Sequence, residues 1–427
     1  MAAAGKTNEL IPLCQGILDA LQKPVTSVWM GRQVTLIEGL DAKYTQQEKG
    51  SCAEENAFKV MKEVCTLFSL SMRACTDLED TTTIVTFEPG TRQLFQALMK
   101  GFDFRYIRNI GSGSYARVWE LVVGDQCFAA KVVRRTDNCR RRLSDVAIND
   151  TIKSFRREFK AGILAESSPH ITRPLHWLNT SSTPILIFPL GIGVVHQYLH
   201  KLSGNDVIAI VVSVFRGLYA LKAHRGGAMA HQDITTLNIL LTREGYWTLN
   251  DFGFCERVGT RIRPLASIYR SPEHQSKEMQ VNHSTDVWAV GCIMLMMLTG
   301  ESFAKNIDRR DFIREGGTER VVHALLQRNE RRARRLDPTG MISKLMIECL
   351  AFDPAKRPTI EEALEHLGLS SETLDRASTI SNEGSVVDEK SERKEFALTP
   401  KSERSIHLSN PRKEECAAGG GAAGAGK

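Results

Sequence analysis

His231, Asp233 and Asn238 fall within eight residues, HQDITTLN, and Asp251 follows in NDFGF. Two carboxylates and an amide are hard oxygen donors. They suit magnesium, which takes one or two protein carboxylates and fills its shell with water and phosphate oxygens. Asp251 is the candidate ligand bridging ion and phosphates, and Asn238 completes one coordination sphere. Asp233 is then the group to orient an acceptor hydroxyl and take its proton. Singly, each acid reads as a solvated turn or cap residue. Their order, set between β-type and helical segments, makes coincidence a poor account.

Moving a phosphoryl group needs two further parts, a cradle for the phosphates and a cation to position them. The cradle candidate is IGSGSYARV, Ile110 to Val118, where Gly111 and Gly113 let a hairpin backbone close over phosphates. Alone, such a Gly-x-Gly is more often a plain turn. Lys131, two residues past Ala129 in FAAKVV, is the cation candidate. An ammonium in so apolar a strand must reach solvent at a sheet edge or be matched by a carboxylate. Glu158, in FRREFKAGIL on an expected helix, is the first choice for that carboxylate, and Glu166 the second. Ile110, Gly111, Gly113, Val118, Ala129, Lys131, Glu158 and Asp251 are the expected nucleotide-binding set.

The elements that must position these residues fall in three zones. Residues 1–100 mix helical patterns such as ELIPLCQGILDALQK with the polar stretch AKYTQQEKGSCAEEN. No chemical motif stands out there. GKT near the start resembles the end of a phosphate loop but lacks its first glycine and a preceding strand. This zone is expected to be a helical extension or a docking segment for a protein partner. From 103 to 369, FRYIRNI, YARVWELVV and QCFAAKVV read as strands, with VGDQ as a hairpin turn. Helical periodicity then dominates, giving a two-lobed α+β plan with a small β-rich lobe and a larger helical one. Residues 370–427 are polar and low in complexity, with too little apolar surface to offset ordering entropy; disorder is expected.

Composition narrows the class. A net charge of +6 in 427 residues is too mild to imply nucleic-acid binding. Ten cysteines never form a CxxC pair, which argues against a zinc ribbon and suits a reducing compartment. The apolar run VWAVGCIMLMML is too short to span a bilayer, and no secretory signal stands at the N-terminus. A soluble, cytoplasmic protein is expected, with nuclear access left open.

Over residues 103–369 the chain resembles the eukaryotic-type protein kinases. The resemblance rests on the glycine loop, Lys131, HQDITTLN and DFG, joined by Ser271-Pro272-Glu273 in place of the family's Ala-Pro-Glu and by DVWAVGC and FDPAKRPT. It implies ATP and Mg2+ as cofactors and a protein hydroxyl as acceptor. It also implies that Asp286 holds the catalytic loop through backbone N–H groups and that Arg357 pairs with Glu273. Backbone near LIFPLGIG would bind adenine, with Ile187 or Phe188 at its inner edge.

The pattern also departs from the family. Gln232 replaces the usual arginine before the aspartate, Thr235 the usual lysine after it, and Ala116 the third glycine; Ala266 stands where a threonine is common. A pseudokinase scaffold that binds partners without turnover is the rival reading. The complete set Lys131, Asp233, Asn238, Asp251 and Gly253 favours the catalyst, because a shell has no chemical need of it. Acceptor type is undetermined by any residue, and serine or threonine is chosen as the commonest. The basic clusters from Arg134 and from Arg328 read first as solvated faces and second as docking sites for acidic partners.

Overall fold

The computed structural model describes residues 10–44, 51–76, 82–113, 116–135, 143–165, 168–178, 183–261, 269–275, 279–303 and 307–369. The polar tail, Glu166, Ala266, Ser267 and most of the basic run from Arg134 lie outside the described residues.

The smaller lobe is built on an antiparallel sheet of β1 (Arg105–Ser112), β2 (Ala116–Val123), β3 (Gln126–Val133), β4 (His176–Leu178) and β5 (Ile185–Pro189). Their spatial order is β1-β2-β3-β5-β4. β2 and β3 are joined at Gly124–Asp125, where Gly124 takes φ +61°, as a two-residue hairpin requires. β3 is therefore central. Lys131 has no edge from which to reach solvent.

Helix α5 (Asp145–Leu164) crosses behind this sheet. Ser144 caps it by accepting the Ala147 N–H at 3.3 Å. Phe155, Glu158, Phe159 and Gly162 share its buried stripe at helical spacing. The only charged member of that stripe is Glu158, the residue expected to face Lys131.

The core does not stop at residue 100. Helices α1 (Leu10–Ala20), α2 (Ser27–Tyr44), α3 (Cys52–Cys75) and α4 (Pro89–Met99) precede the sheet. Their Leu18, Phe68 and Phe95 belong to the same apolar cluster as Leu121, Phe128, Phe155 and Leu186. α3 packs on α5 and β4, while α4 packs on β2 and β3. Polar ties cross the same seam. Glu63 meets the buried His176 ring at 2.8 Å, Thr91 donates to the Leu175 carbonyl, and Arg173 donates to both Gly162 O and Thr86 Oγ1. Amphipathic spacing made these segments helices; their partner surface is an apolar sheet and helix that the chain forms later.

The larger lobe packs around the helix His283–Thr299, whose residues from Thr285 onward are all buried. Its N-terminus is capped by Asn282, and it ends at Gly300 with φ +75°. The helix Gly204–Lys222 is long and apolar enough to cross a membrane by length and composition, but most of that stretch is buried inside this core.

Because the extension shares the core, its removal or loosening acts on the whole smaller lobe. Phe68→Ala, at a fully buried site in α3, is expected to cost about 3–5 kcal/mol. Urea unfolding checks this, and a loss under about 0.5 kcal/mol, typical of a surface change, would contradict a shared core.

Candidate active site

Lys131 Nζ lies 2.8 Å from Glu158 Oε2, 3.1 Å from Glu158 Oε1 and 2.8 Å from Asp251 Oδ1. The lysine side chain is 12% exposed and Glu158 1%. Burial works against the Lys131 charge, but Asp251 and Glu158 outweigh it and hold the ammonium above its ordinary value. Burial likewise opposes ionisation of Asp251, yet the Lys131 field and hydrogen bond keep its carboxyl below the usual range. For Glu158, burial pushes upward while Lys131 pulls down. Burial prevails and lifts the Glu158 carboxyl to about 7, while both its oxygens stay in reach of the ammonium.

Asp251 sits at φ +64° and Gln232 at φ +66°, the two non-glycine residues with positive φ among those described. Such backbone persists only where surroundings over-determine it. For Gln232 they do. Asp286 accepts the His231 N–H at 2.6 Å and the Gln232 N–H at 2.8 Å, while Gln232 Nε2 donates to Thr285 Oγ1 at 2.8 Å. His231 is fully buried against the Phe252 ring, with Nε2 3.1 Å from Asn250 O. Burial drops its pKa to about 4, so it packs as a neutral ring. Arg357 grips Glu273 in a bidentate pair at 2.5 and 2.9 Å and lies 4.8 Å from the Trp288 ring, fixing the short turn Pro272–Gln275 against the large-lobe core.

Asn238 donates Nδ2 to Asp233 O at 2.8 Å and to Asp233 Oδ2 at 3.1 Å, so its own oxygen points elsewhere. Asp251 meets protein only through Oδ1, which binds Lys131 and the Gly253 N–H, leaving Oδ2 free among the described residues. One carboxylate and one amide oxygen are thereby left for a cation. No group of three or more His, Cys, Asp or Glu side chains converges on a metal among the described residues. Two protein oxygens fit magnesium, which keeps water and phosphate ligands, better than an ion needing a full protein cage. Burial raises the Asp233 carboxyl to about 6, with the Asp251 charge adding to the effect.

Strand register settles which residues look toward this cluster. Val118 pairs with Lys131, Ala129 with Phe188, Lys131 with Leu186, and Gly111 with Val118. Side chains alternate between faces, so Val118, Ala129, Lys131 and Phe188 share one face, and Ile187 turns to the other with Ala130. Ile110 stands partly exposed on β1. Between Gly113 and Ala116 the hairpin closes by an N–H bond of 2.9 Å, while Arg134 donates to Gly113 O at 2.9 Å.

Three supports escaped the sequence reading. Ser154 and Arg157 of α5 donate to Gly253 O at 3.0 and 3.1 Å. A Cβ at Gly253 would sit 2.5 Å from Ser154 Oγ, so glycine lets α5 and the Asp251 segment touch. Ser154 and Arg157 are three apart on one helix face, a spacing that marks neighbours but not their target. Arg134 was visible only as part of a basic run. The Gln232–Thr285 bond joins residues distant in sequence, and no local signal pointed to it.

A profile of the protein kinase domain matches residues 104–367. A probable cell division protein kinase of Encephalitozoon cuniculi is 24% identical over 274 residues, covering 62% of this chain and 97% of that protein. Serine/threonine-protein kinase 36 of Pongo abelii is 28% identical over 204 residues, 46% of this chain and 15% of that protein. Human mitogen-activated protein kinase 12 is 24% identical over 221 residues, 50% of this chain and 58% of that protein. With more than half its length matched and the two-lobed α+β architecture in place, this chain belongs to the protein kinase family.

Proposed function

We propose that this chain is a catalyst that transfers the γ-phosphoryl group of Mg·ATP to a protein hydroxyl, on serine or threonine. The observation that carries the reading is the closed contact of Lys131 with both Glu158 and Asp251 Oδ1, beside an Asn238 whose Nδ2 is engaged with Asp233, so that Asp251 Oδ2 and the Asn238 oxygen are left for a cation among the described residues. Lys131 would bind the α- and β-phosphates beneath Gly111 and Gly113. A Cβ at either glycine would meet only ordinary contacts within the protein, so close approach of a ligand is the better reason for their small size. Val118, Ala129 and Phe188 would bound the base. Asp251 and Asn238 would hold magnesium, which would offset the negative charge of the phosphates. Asp233, steadied by Asn238, would take the acceptor proton as the oxygen bonds to phosphorus and the bond to the β-phosphate bridging oxygen breaks, releasing ADP. The described cysteines are all free thiols, which supports a reducing compartment, and a cytoplasmic setting fits this reading.

One observation favours a scaffold instead. Thr235 is uncharged where the family usually has lysine, and its hydroxyl is engaged with the Leu237 N–H at 3.3 Å. Transfer of label from γ-labelled ATP to a panel of protein acceptors decides between the two. Wild type should incorporate label and Asp251→Asn should abolish it. Equal silence of both, together with a thermal shift by Mg·ATP, would establish the scaffold.

Since Asp233 must be ionised to act, the rate should fall as pH drops through its pKa of about 6. Bound magnesium would move that limb lower, through the attraction of a cation for the charged carboxylate. kcat/KM measured from pH 5 to 8 should be flat above about 7; a decline already under way there would exclude Asp233 as the group.

Control should also differ from kinases that keep an arginine at position 232. The Gln232 amide is spent on Thr285 and offers no cation for a phosphate on the following segment. Of the hydroxyls there, Thr260 donates to Arg257 O and Tyr269 is buried, while Ser267 lies outside the described residues. Phosphatase treatment and Thr260→Ala/Ser267→Ala should each leave the rate within about threefold. A loss of about tenfold or more in both, ~1.4 kcal/mol in barrier, would show that phosphorylation orders the segment.

A further inference from the structure

A cleft of about 470 Å³ opens between α3, α5 and β4. That volume lies in the roughly 300–1,000 Å³ range of small-molecule sites. Its floor is aromatic: Phe159 and Trp177, both buried, meet edge to face at 6.0 Å. Its rim carries Arg73 from α3 and Arg156 and Lys160 from α5, and among the described lining residues none is acidic. Arg73 and Arg156 are exposed at their ends, and no carboxylate partner for either is found among the described residues. Glu38 and Asp41 of α2 stand near Cys65 at one end of the cleft, and Asp41 is held by Lys62 at 3.2 Å. An apolar floor under a rim of like charges is complementary to a ligand of two parts.

We propose that this cleft binds a small amphipathic anion, a carboxylate or phosphate head on an aromatic or aliphatic body, and that its occupancy is coupled to nucleotide binding. The head would draw the three cations together, and the body would cover Phe159 and Trp177. The coupling follows from helix geometry. Arg156, Phe159 and Lys160 face the cleft, whereas Glu158 on the same helix faces Lys131. A ligand bridging α3 to α5 therefore braces the helix that holds the phosphate-facing ammonium. The coupling rests on the phosphotransferase reading; the binding does not.

Calorimetric titration of the full chain tests both parts, with phenyl phosphate, octanoate and inorganic phosphate as probes. Phenyl phosphate should bind at least tenfold more tightly than inorganic phosphate. Arg73→Glu/Arg156→Glu, at exposed positions and with an unchanged melting profile, should weaken phenyl phosphate and octanoate at least tenfold. No heat from any probe at millimolar concentration, equal affinity in the variant, or inorganic phosphate binding as tightly as phenyl phosphate would overturn the site. If Mg·ADP also binds, phenyl phosphate should tighten it, and by linkage Mg·ADP should tighten phenyl phosphate by the same factor. Unchanged Mg·ADP affinity would overturn the coupling. Phenyl phosphate binding in a chain that ignores Mg·ADP would sink the catalytic reading and leave the site standing.

Discussion

A buried ammonium in the centre of a β-sheet sets the terms for everything around it. Lys131 on β3 cannot reach an edge, and an unmatched charge there would cost several kcal/mol. Two carboxylates answer it from opposite directions. Glu158 arrives on α5 and Asp251 arrives from the larger lobe, so one charge fixes the position of a helix and of a loop at once. Ser154 and Arg157 close the triangle by donating to Gly253 O, which ties the helix to the loop without passing through the lysine.

Each partner is held in turn by something larger. α5 leans on α3 and on the shared apolar core, and the extension is thereby joined to the placement of Glu158. The loop of Asp233 and Asn238 hangs from Asp286, whose two oxygens take consecutive N–H groups and stabilise the left-handed turn at Gln232. Asp286 stands on the deeply buried helix His283–Thr299, so a fully packed part of the larger lobe supports the left-handed backbone at Gln232. In this protein the position before the aspartate serves the fold through Thr285, where an arginine would have served a phosphate.

Much of this could be read from residue types alone. Lys131 announced itself because charge inside an apolar strand demands a partner, and Glu158 followed as a carboxylate on an expected helix. The β2–β3 hairpin was legible because a two-residue turn needs the backbone freedom of Gly124. The order of Asp233, Asn238 and Asp251 was legible as a hard-oxygen set. Other features were not, for identifiable reasons. Amphipathic spacing shows that α3 and α4 bury a face but not which surface covers it, so a segment that seemed an appendage proved part of the core. Ile187 and Phe188 looked equivalent until pairing with Ala130 and Ala129 sent them to opposite faces. The cleft under Arg73 and Arg156 joins residues from helices far apart in sequence, and neither helix suggests it alone.

In the proposed catalyst, Glu158 acts on nucleotide binding by holding Lys131. Calorimetric titration of Mg·ADP into wild type, Glu158→Gln, Lys131→Met and the double variant measures that directly. Glu158→Gln should weaken Mg·ADP by about tenfold, ~1.4 kcal/mol, and should add little once Lys131 is already methionine. Full affinity in Glu158→Gln, or losses that simply add in the double variant, would contradict it.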